Sequence, residues 1–257
     1  MINLENNQRT LAWFRARLGN FTGSRVGDLM KSGRSKADVF GEVAKSYIQQ
    51  VAAERMMNPD VVEDDDMFAE YVASVDITSR AMRFGTEQED NARKLFARLA
   101  KVEIVEPSSC RHDEVEHFAA SPDGLITVDL RPTACVEIKC PKQETFVKYL
   151  SITDGESLKK VNPLYYWQTQ AEMSCTDTGL CYFVVFCPWQ RKPLHVARIE
   201  RDAEDEAALI ERIRLANAMI DDIMAKDDGR ESVIQGVQRE VYERALDYTK
   251  RLFEPAV

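Results

Sequence analysis

The residues best equipped for chemistry lie between positions 121 and 141. The stretch opens Ser121-Pro122-Asp123-Gly124-Leu125 and closes Val136-Glu137-Ile138-Lys139-Cys140-Pro141, with thirteen residues between Asp123 and Glu137. Side chains alternate along a strand, so Val136 and Ile138 share one face while Glu137 and Lys139 share the other. An acid and a lysine therefore project together from a strand whose opposite face is apolar. Asp123 ends a short segment at a turn marked by Gly124, and can approach the same point from the neighbouring strand. Two carboxylates and a backbone carbonyl make a hard-oxygen site suited to magnesium, with room left for water and phosphate oxygens. A lysine beside them can orient or deprotonate an attacking water and offset phosphate charge. Such a set suits phosphodiester hydrolysis by metal activation of water and in-line displacement. Glu-x-Lys on its own is a common surface ion pair. The joint pattern with Ser-Pro-Asp-Gly and Pro141 is far more specific.

The elements that must hold these residues can be read from periodicity and punctuation. Val39, Val43, Tyr47, Ile48 and Val51 fall at helical spacing within 37–57. A second helix is expected over 86–101, with Ala92, Phe96 and Leu99 on one face. Between them, 58–76 is acidic and reads as an exposed loop or short helix. Strands are expected at 102–105, 117–120, 124–130 and 135–140, followed by a helix over 163–175. Two further strands, 180–187 and 194–200, are joined by a turn at Pro188-Trp189-Gln190. Asp202 is a candidate cap for a helix with Leu209, Ile213, Ala216, Ile220 and Ile223 in one stripe. Gly229 is expected to break that run before a last helix carrying Val237, Val241 and Leu252. This order predicts one α/β domain with a mixed central sheet, the N-terminal helices packing on one side of it.

Length and composition bound the alternatives. The chain has 257 residues, 44% hydrophobic and 30% charged, which is a globular composition with ample material for a core. The longest apolar run, 180–187, has eight residues, against about 20 for a membrane span. The first ten residues lack an apolar signal core, so a cytoplasmic location is expected. None of the six cysteines forms a C-x-x-C pair, so free thiols are expected. The net charge of −9 argues against a nucleic-acid coat protein, yet residues 9–36 hold seven basic side chains and one acid, Asp28. The segment 201–257 holds 14 acids and nine bases. An acidic body with one basic rim can hold a polyanion in a groove and repel it elsewhere.

Further motifs stand in order around this centre. Trp13-Phe14-Arg15-Ala16-Arg17-Leu18-Gly19 and Phe21-Thr22-Gly23-Ser24 come first, then Phe84-Gly85-Thr86-Glu87-Gln88-Glu89-Asp90-Asn91-Ala92-Arg93. His112-Asp113-Glu114, Tyr165-Tyr166-Trp167-Gln168-Thr169-Gln170, Leu194-His195 and Ile199-Glu200-Arg201-Asp202 complete the set. Over most of its length the sequence resembles the bacteriophage lambda exonuclease (YqaJ-type viral recombinase) family, within the restriction-endonuclease-like nucleases. The resemblance implies a mixed central sheet flanked by helices, in a single exonuclease domain over 1–257. The acidic 58–76 segment would be an insertion and 203–257 a helical tail, both longer than the family's usual parts.

The resemblance also implies roles. Asp123, Glu137 and the backbone carbonyl of Ile138 would hold magnesium, with manganese as a substitute, and Lys139 would be the catalytic lysine. Glu89 would complete the acidic cluster through a second metal or its water. Arg17, Ser24, Ser121 and Gln168 would bind a terminal 5′-phosphate, a donor set that suits a phosphate dianion. Asp113 matches an acid near that site. Arg80 and Arg83 are candidates for gripping DNA. The implied activity is a magnesium-dependent 5′→3′ exonuclease on double-stranded DNA ends. It would leave 3′ single strands for recombination by strand annealing. The implied assembly is a homotrimeric ring with a single-strand annealing protein as partner, in a bacterial host and encoded by a phage or prophage.

Plainer readings compete. Ser24 could cap a helix, Glu89 could pair with Arg93, Arg17 could form a surface ion pair with Arg15 taking its role, and Gln168 could face solvent. Trp13 and Trp167 read as core or wall, and the histidines as non-ligands. A repair or CRISPR-associated nuclease of the same superfamily is the alternative enzyme; the missing C-x-x-C argues against its iron–sulfur variants. A catalytically inactive DNA-binding subunit has no chemical need to keep Asp123, Glu137 and Lys139 together.

Overall fold

The computed structural model describes residues 8–33, 38–75, 80–129 and 131–234, without the side chains of 80–82 and 227–234. In chain order the elements are α1 (Leu11–Arg17), β1 (Phe21–Thr22), α2 (Val26–Leu29), α3 (Glu42–Arg55), α4 (Pro59–Glu63), α5 (Asp65–Val75) and α6 (Arg80–Ala100). Then come β2 (Ile104–Val105), β3 (Cys110–Arg111), β4 (Phe118–Ala120), β5 (Gly124–Val128) and β6 (Arg131–Lys139). The chain continues through α7 (Gln143–Tyr149), α8 (Gly155–Val161), α9 (Pro163–Thr176), β7 (Leu180–Phe186), β8 (Leu194–Glu200) and α10 (Ala203–Ile234).

The strands form two sheets rather than the one expected. The larger has the order β2-β5-β6-β7-β8, with β6 and β7 parallel and the other neighbours antiparallel. The smaller has the order β1-β4-β3, with β1 and β4 parallel. The class is thus mixed α/β with helices on the sheets, as expected, and the second sheet forms because β4 pairs with β1 and β3 rather than with the larger sheet. Both faces of β6 are covered. Ala134, Val136 and Ile138 pack with Ala92 and Phe96 of α6, while Cys135 packs with Phe183 and with Tyr166 and Met173 of α9. The N-terminal helices build a separate core with the small sheet, α9 and α10, through Phe21, Leu29, Ile48, Phe118, Ala171 and Leu209. Helix α9 therefore serves both cores.

Several boundaries differ from the periodicity. Helix α3 starts at Glu42, with Gly41 at its cap, so Val39 lies outside it, and Val43 is exposed. The acidic segment folds as α4 and α5. Asn58 caps α4, Asp64 caps α5 through the N–H groups of Asp66 and Met67, and Phe68 is fully buried. Leu99 is 65% exposed and does not share the face of Ala92 and Phe96. Asp202 accepts from the N–H groups of Glu204 and Asp205 and begins α10, whose stripe from Leu209 to Ile220 is buried. Gly229 does not break α10, which continues to Ile234; one glycine costs a helix only about 1 kcal/mol. The expected last helix lies outside the described residues.

Candidate active site

Strand β6 presents Glu137 and Lys139 beneath α9. Glu137 is 1% exposed, and its Oε1 accepts from Gln168 Nε2 at 2.7 Å and pairs with Lys139 Nζ. Lys139 also donates to Gln168 Oε1 at 3.3 Å and lies 4.5 Å from the centre of the Tyr165 ring. Burial works against its charge, but Glu137, Asp123 and Tyr165 outweigh it, so the ammonium is held above the usual lysine range.

Asp123 arrives from the turn before β5. Its Oδ2 accepts from the Ile138 N–H at 2.7 Å, which ties it to the strand position between Glu137 and Lys139. Its carbonyl accepts from Arg93 Nε at 2.9 Å. The turn depends on Gly124: a Cβ there would lie 2.4 Å from Ile104 Cγ2, so a side chain would force β2 away. Burial first, then the charges of Glu137 and Glu89, hold the Asp123 carboxyl well above the usual carboxylate range; Lys139 and the Ile138 N–H only partly oppose them. Glu89 on α6 is thus close enough to be felt. It pairs with Arg9 at 2.7 Å, not with Arg93, which bonds Glu106 at 3.0 Å.

Two residues at the site were not among those singled out by sequence. Glu172 lies one turn beyond Gln168 on α9 and accepts from Gln168 Nε2 at 2.9 Å. Burial and the neighbouring Glu137 push its carboxyl well above the usual range, which favours the protonated form behind the site. Its i+4 spacing from Gln168 was the available signal, but the direction of that helix face was not. Arg93, which fixes the Asp123 carbonyl, is the second. Deeper still, Cys135, Cys181 and Glu172 place their ligand-type atoms within 4.8 Å of one another. All six cysteines are free thiols.

Arg17, Ser24 and Ser121 converge beside this cluster. Arg17 donates to Ser121 Oγ at 3.2 Å and Ser24 Oγ at 3.3 Å, with its guanidinium 4.3 Å from the centre of the Trp13 ring. Burial pulls Arg17 down to about 10, against weaker opposing pulls from Tyr47, Glu54 and Glu172. Its hydrogen bonds go to neutral hydroxyls, so its charge is poorly compensated. Trp13 Nε1 donates to Ser121 Oγ and the Ser108 carbonyl, and Gln8 donates to the Pro122 carbonyl, pinning the loop. Arg15 cannot take over from Arg17: it bonds the Val62 carbonyl and Asp65, and stacks on Phe68.

The remaining expected positions fall as follows. Gln168 is buried and bonds Glu137, Lys139 and Glu172, so it faces the acidic cluster rather than joining the hydroxyls around Arg17. Ser24 does not cap α2; Arg25 stands at that cap without a side-chain capping bond. Asp113 is exposed after β3. His195 bonds the Ile152 carbonyl, and His112 Nδ1 accepts from the N–H groups of Glu114 and Val115. Arg83 is exposed, and the Arg80 side chain lies outside the described residues.

The donor set fits a hard divalent cation. Glu137 Oε2 is buried with no hydrogen-bond partner, and Asp123, Glu137 and Glu89 crowd one another's charges. Carboxylate oxygens with a backbone carbonyl are what such an ion takes.

The YqaJ-like viral recombinase domain matches residues 12–179, more than half of the chain. The chain belongs to that family. Among solved structures, an alkaline exonuclease from Laribacter hongkongensis is similar at 27% identity, covering 88% of this chain and 100% of that one, with a TM-score of 0.67. The same enzyme in complex with dAMP matches at 26% identity and a TM-score of 0.68. A phage-related exonuclease from Haemophilus somnus, at 16% identity and a TM-score of 0.58, covers 80% of this chain and 96% of that one, and shares the fold. No curated protein matches the sequence. For this YqaJ-family chain, the family match takes in both clusters, from Trp13 and Arg17 to Glu172. No helix among the described residues is long and apolar enough to cross a membrane.

Proposed function

We propose that this chain is a deoxyribonuclease that degrades double-stranded DNA from its ends in the 5′→3′ direction, with magnesium as its cation. The observation that carries the reading is one juxtaposition. Arg17, a partly buried cation whose hydrogen bonds among the described residues go to neutral hydroxyls, shares Ser121 with a loop that reaches Asp123 two residues later. A phosphate monoester, with up to two negative charges against one on an internal diester, is the group that would complete Arg17. Seated there, the end of a strand lies next to the acidic cluster, which places hydrolysis at the terminal nucleotide. Family membership and the resemblance to alkaline exonucleases support the same reading.

Asp123, Glu137 and the Ile138 carbonyl would hold the magnesium, with Glu89 reaching a second ion or its water. When bound, magnesium supplies Lewis-acid activation of water and of the scissile phosphate. The chain's own residues do the rest. The Ile138 N–H and Arg93 fix Asp123 from both ends. Gln168 bridges Glu137 and Lys139, so the acid and the lysine keep one relative geometry. Lys139, beside Glu137 and Gln168, orients the nucleophile and offsets charge on the phosphate. The half-buried Tyr165 ring of α9, 4.5 Å from the ammonium, covers Lys139 on one side.

We extend the reading, on family resemblance, to one exonuclease domain working in recombination in a bacterial cytoplasm. There, subunits close into a homotrimeric ring and pass the 3′ strand to an annealing protein. The decisive assay is digestion of blunt linear duplex with and without 5′-phosphate, beside a closed circle, in magnesium, calcium or EDTA. Loss of labelled 5′ mononucleotides from phosphorylated linear DNA in magnesium alone is expected. Cutting of the circle, or release from 3′ ends first, would overturn the proposal. A monomer in sedimentation velocity at micromolar concentration would overturn the ring.

A further inference from the structure

The turn between β7 and β8 carries a tryptophan that belongs to none of the cores. Trp189 is 69% exposed, and its ring lies against Phe84 of α6, with centroids 6.4 Å apart and planes 14° from parallel. With Phe84 the exposed ring makes a flat aromatic pair at the surface. Topology places it at the active-site end of the sheet. β6 and β7 run parallel with Lys139 opposite Val185, so the turn after Phe186 leaves the sheet where Lys139 ends β6. Helix α6 reaches the same edge: a Cβ on Gly85 would lie 3.9 Å from the carbonyl oxygen of Cys140. Glu89 follows about one turn along that helix.

The surroundings are basic in a protein whose net charge is −9. Arg83 precedes Phe84, and Arg191 and Lys192 follow Trp189, all three exposed; exposed Glu87 is the acid on this stretch of α6. A flat aromatic face framed by cations beside a phosphodiester-cleaving centre suits a nucleobase with its flanking phosphates. Inside a duplex each base face is covered by its neighbours. The ring can therefore be met only by a terminal base or one that has left the stack.

We infer that Trp189, backed by Phe84, is a stacking platform for an unpaired base of the DNA substrate, with Arg83, Arg191 and Lys192 on the adjacent phosphates. This rests on the DNA-degrading function proposed above. The test is binding of the full chain in calcium, by fluorescence anisotropy, to a blunt duplex and to one with a short unpaired end. The variants are W189A, W189F and the double variant R191A/K192A. W189A should bind the unpaired-end duplex about tenfold more weakly, the size of one lost stacked base, and W189F should keep most of the affinity. The dependence of log affinity on log salt should be unchanged in W189A and shallower by about two in R191A/K192A. Abasic sugars at the unpaired end should bring the unmodified protein down to the level of W189A. Affinity of W189A within twofold of the unmodified protein, or failure of W189F alongside W189A, would overturn the platform while leaving DNA binding intact. Failure of the unmodified protein to bind either duplex would overturn the function itself.

Discussion

Two charge clusters meet in the loop from Ser121 to Asp123, and they are unfinished in opposite senses. Around Glu137, carboxyls crowd together: Asp123 and Glu172 are pushed up by burial and by their neighbours, and one oxygen of Glu137 has no partner. Around Arg17, a partly buried cation lies against hydroxyls and an aromatic ring. The first cluster wants positive charge and the second wants negative charge. A metal ion and a phosphate-ended strand would complete both at once, so substrate binding and metal binding should reinforce each other across this short loop.

That contrast can be broken from either side. The largest effect is expected at the acidic cluster. Asp123→Asn or Glu137→Gln keeps volume and removes a hard-oxygen ligand, and should cut the single-turnover rate on the order of a thousandfold with little change in melting temperature. Near-normal rates in both would remove the metal assignment. Lys139→Ala should follow with a loss of about a hundredfold while metal affinity by calorimetry is kept. Lys139→Arg should stay well below the unmodified protein, because a broad guanidinium does not fit between Glu137, Gln168 and the Tyr165 ring.

At the cationic cluster the effect is smaller and selective. Arg17→Ala should reduce initiation on 5′-phosphorylated ends by roughly tenfold to a hundredfold, from charge-assisted bonds of about 1.5–3 kcal/mol each, and leave 5′-hydroxyl ends nearly unchanged. Initiation is the quantity to measure, with enzyme in excess over ends, since later cuts expose new phosphates. Equal losses on both kinds of end would show that Arg17 serves the fold instead.

The smallest effect belongs to Glu172. Its folded-state carboxyl titrates above its unfolded value, so the native state holds a proton that the unfolded chain releases first. Stability from this group is therefore full below the unfolded value and falls as pH rises toward the folded one. Glu172→Gln should flatten thermal stability across that window in EDTA and change activity by only a few fold. A variant whose stability still fell as steeply as the original would place the proton elsewhere.

How much of this was legible depended on whether a signal was local. Asp123, Glu137 and Lys139 could be found because strand alternation fixes which side chains share a face. Arg17, Ser24 and Ser121 came from resemblance, since nothing in the chain between 24 and 121 reveals that they meet. Gln168 was recognised, but its bonds run to Glu137 and Lys139, a choice set by how α9 is rotated over β6. Glu172 was invisible for the same reason: a glutamate on a helix reads as solvated until a strand is laid beneath it. Two-residue strands such as β1 and β3 leave no alternation to read, which hid the second sheet. Leu99 and Val43 fit a helical stripe yet face water, because a period identifies a face only to within a turn.

Strand β6 has a consequence for how this sequence can change. Its two sides are both committed, one to α6 and one to α9, and its residues alternate between them. Deleting or inserting one residue within 134–139 would exchange the sides, driving a carboxylate and an ammonium into the packing of α6 and turning Val136 and Ile138 toward Gln168. The strand thus has a reading frame of two, as strict in its way as a codon's frame of three. Natural variation in length should collect between β5 and β6. Recombination between relatives should succeed only at joints that respect the parity of Glu137.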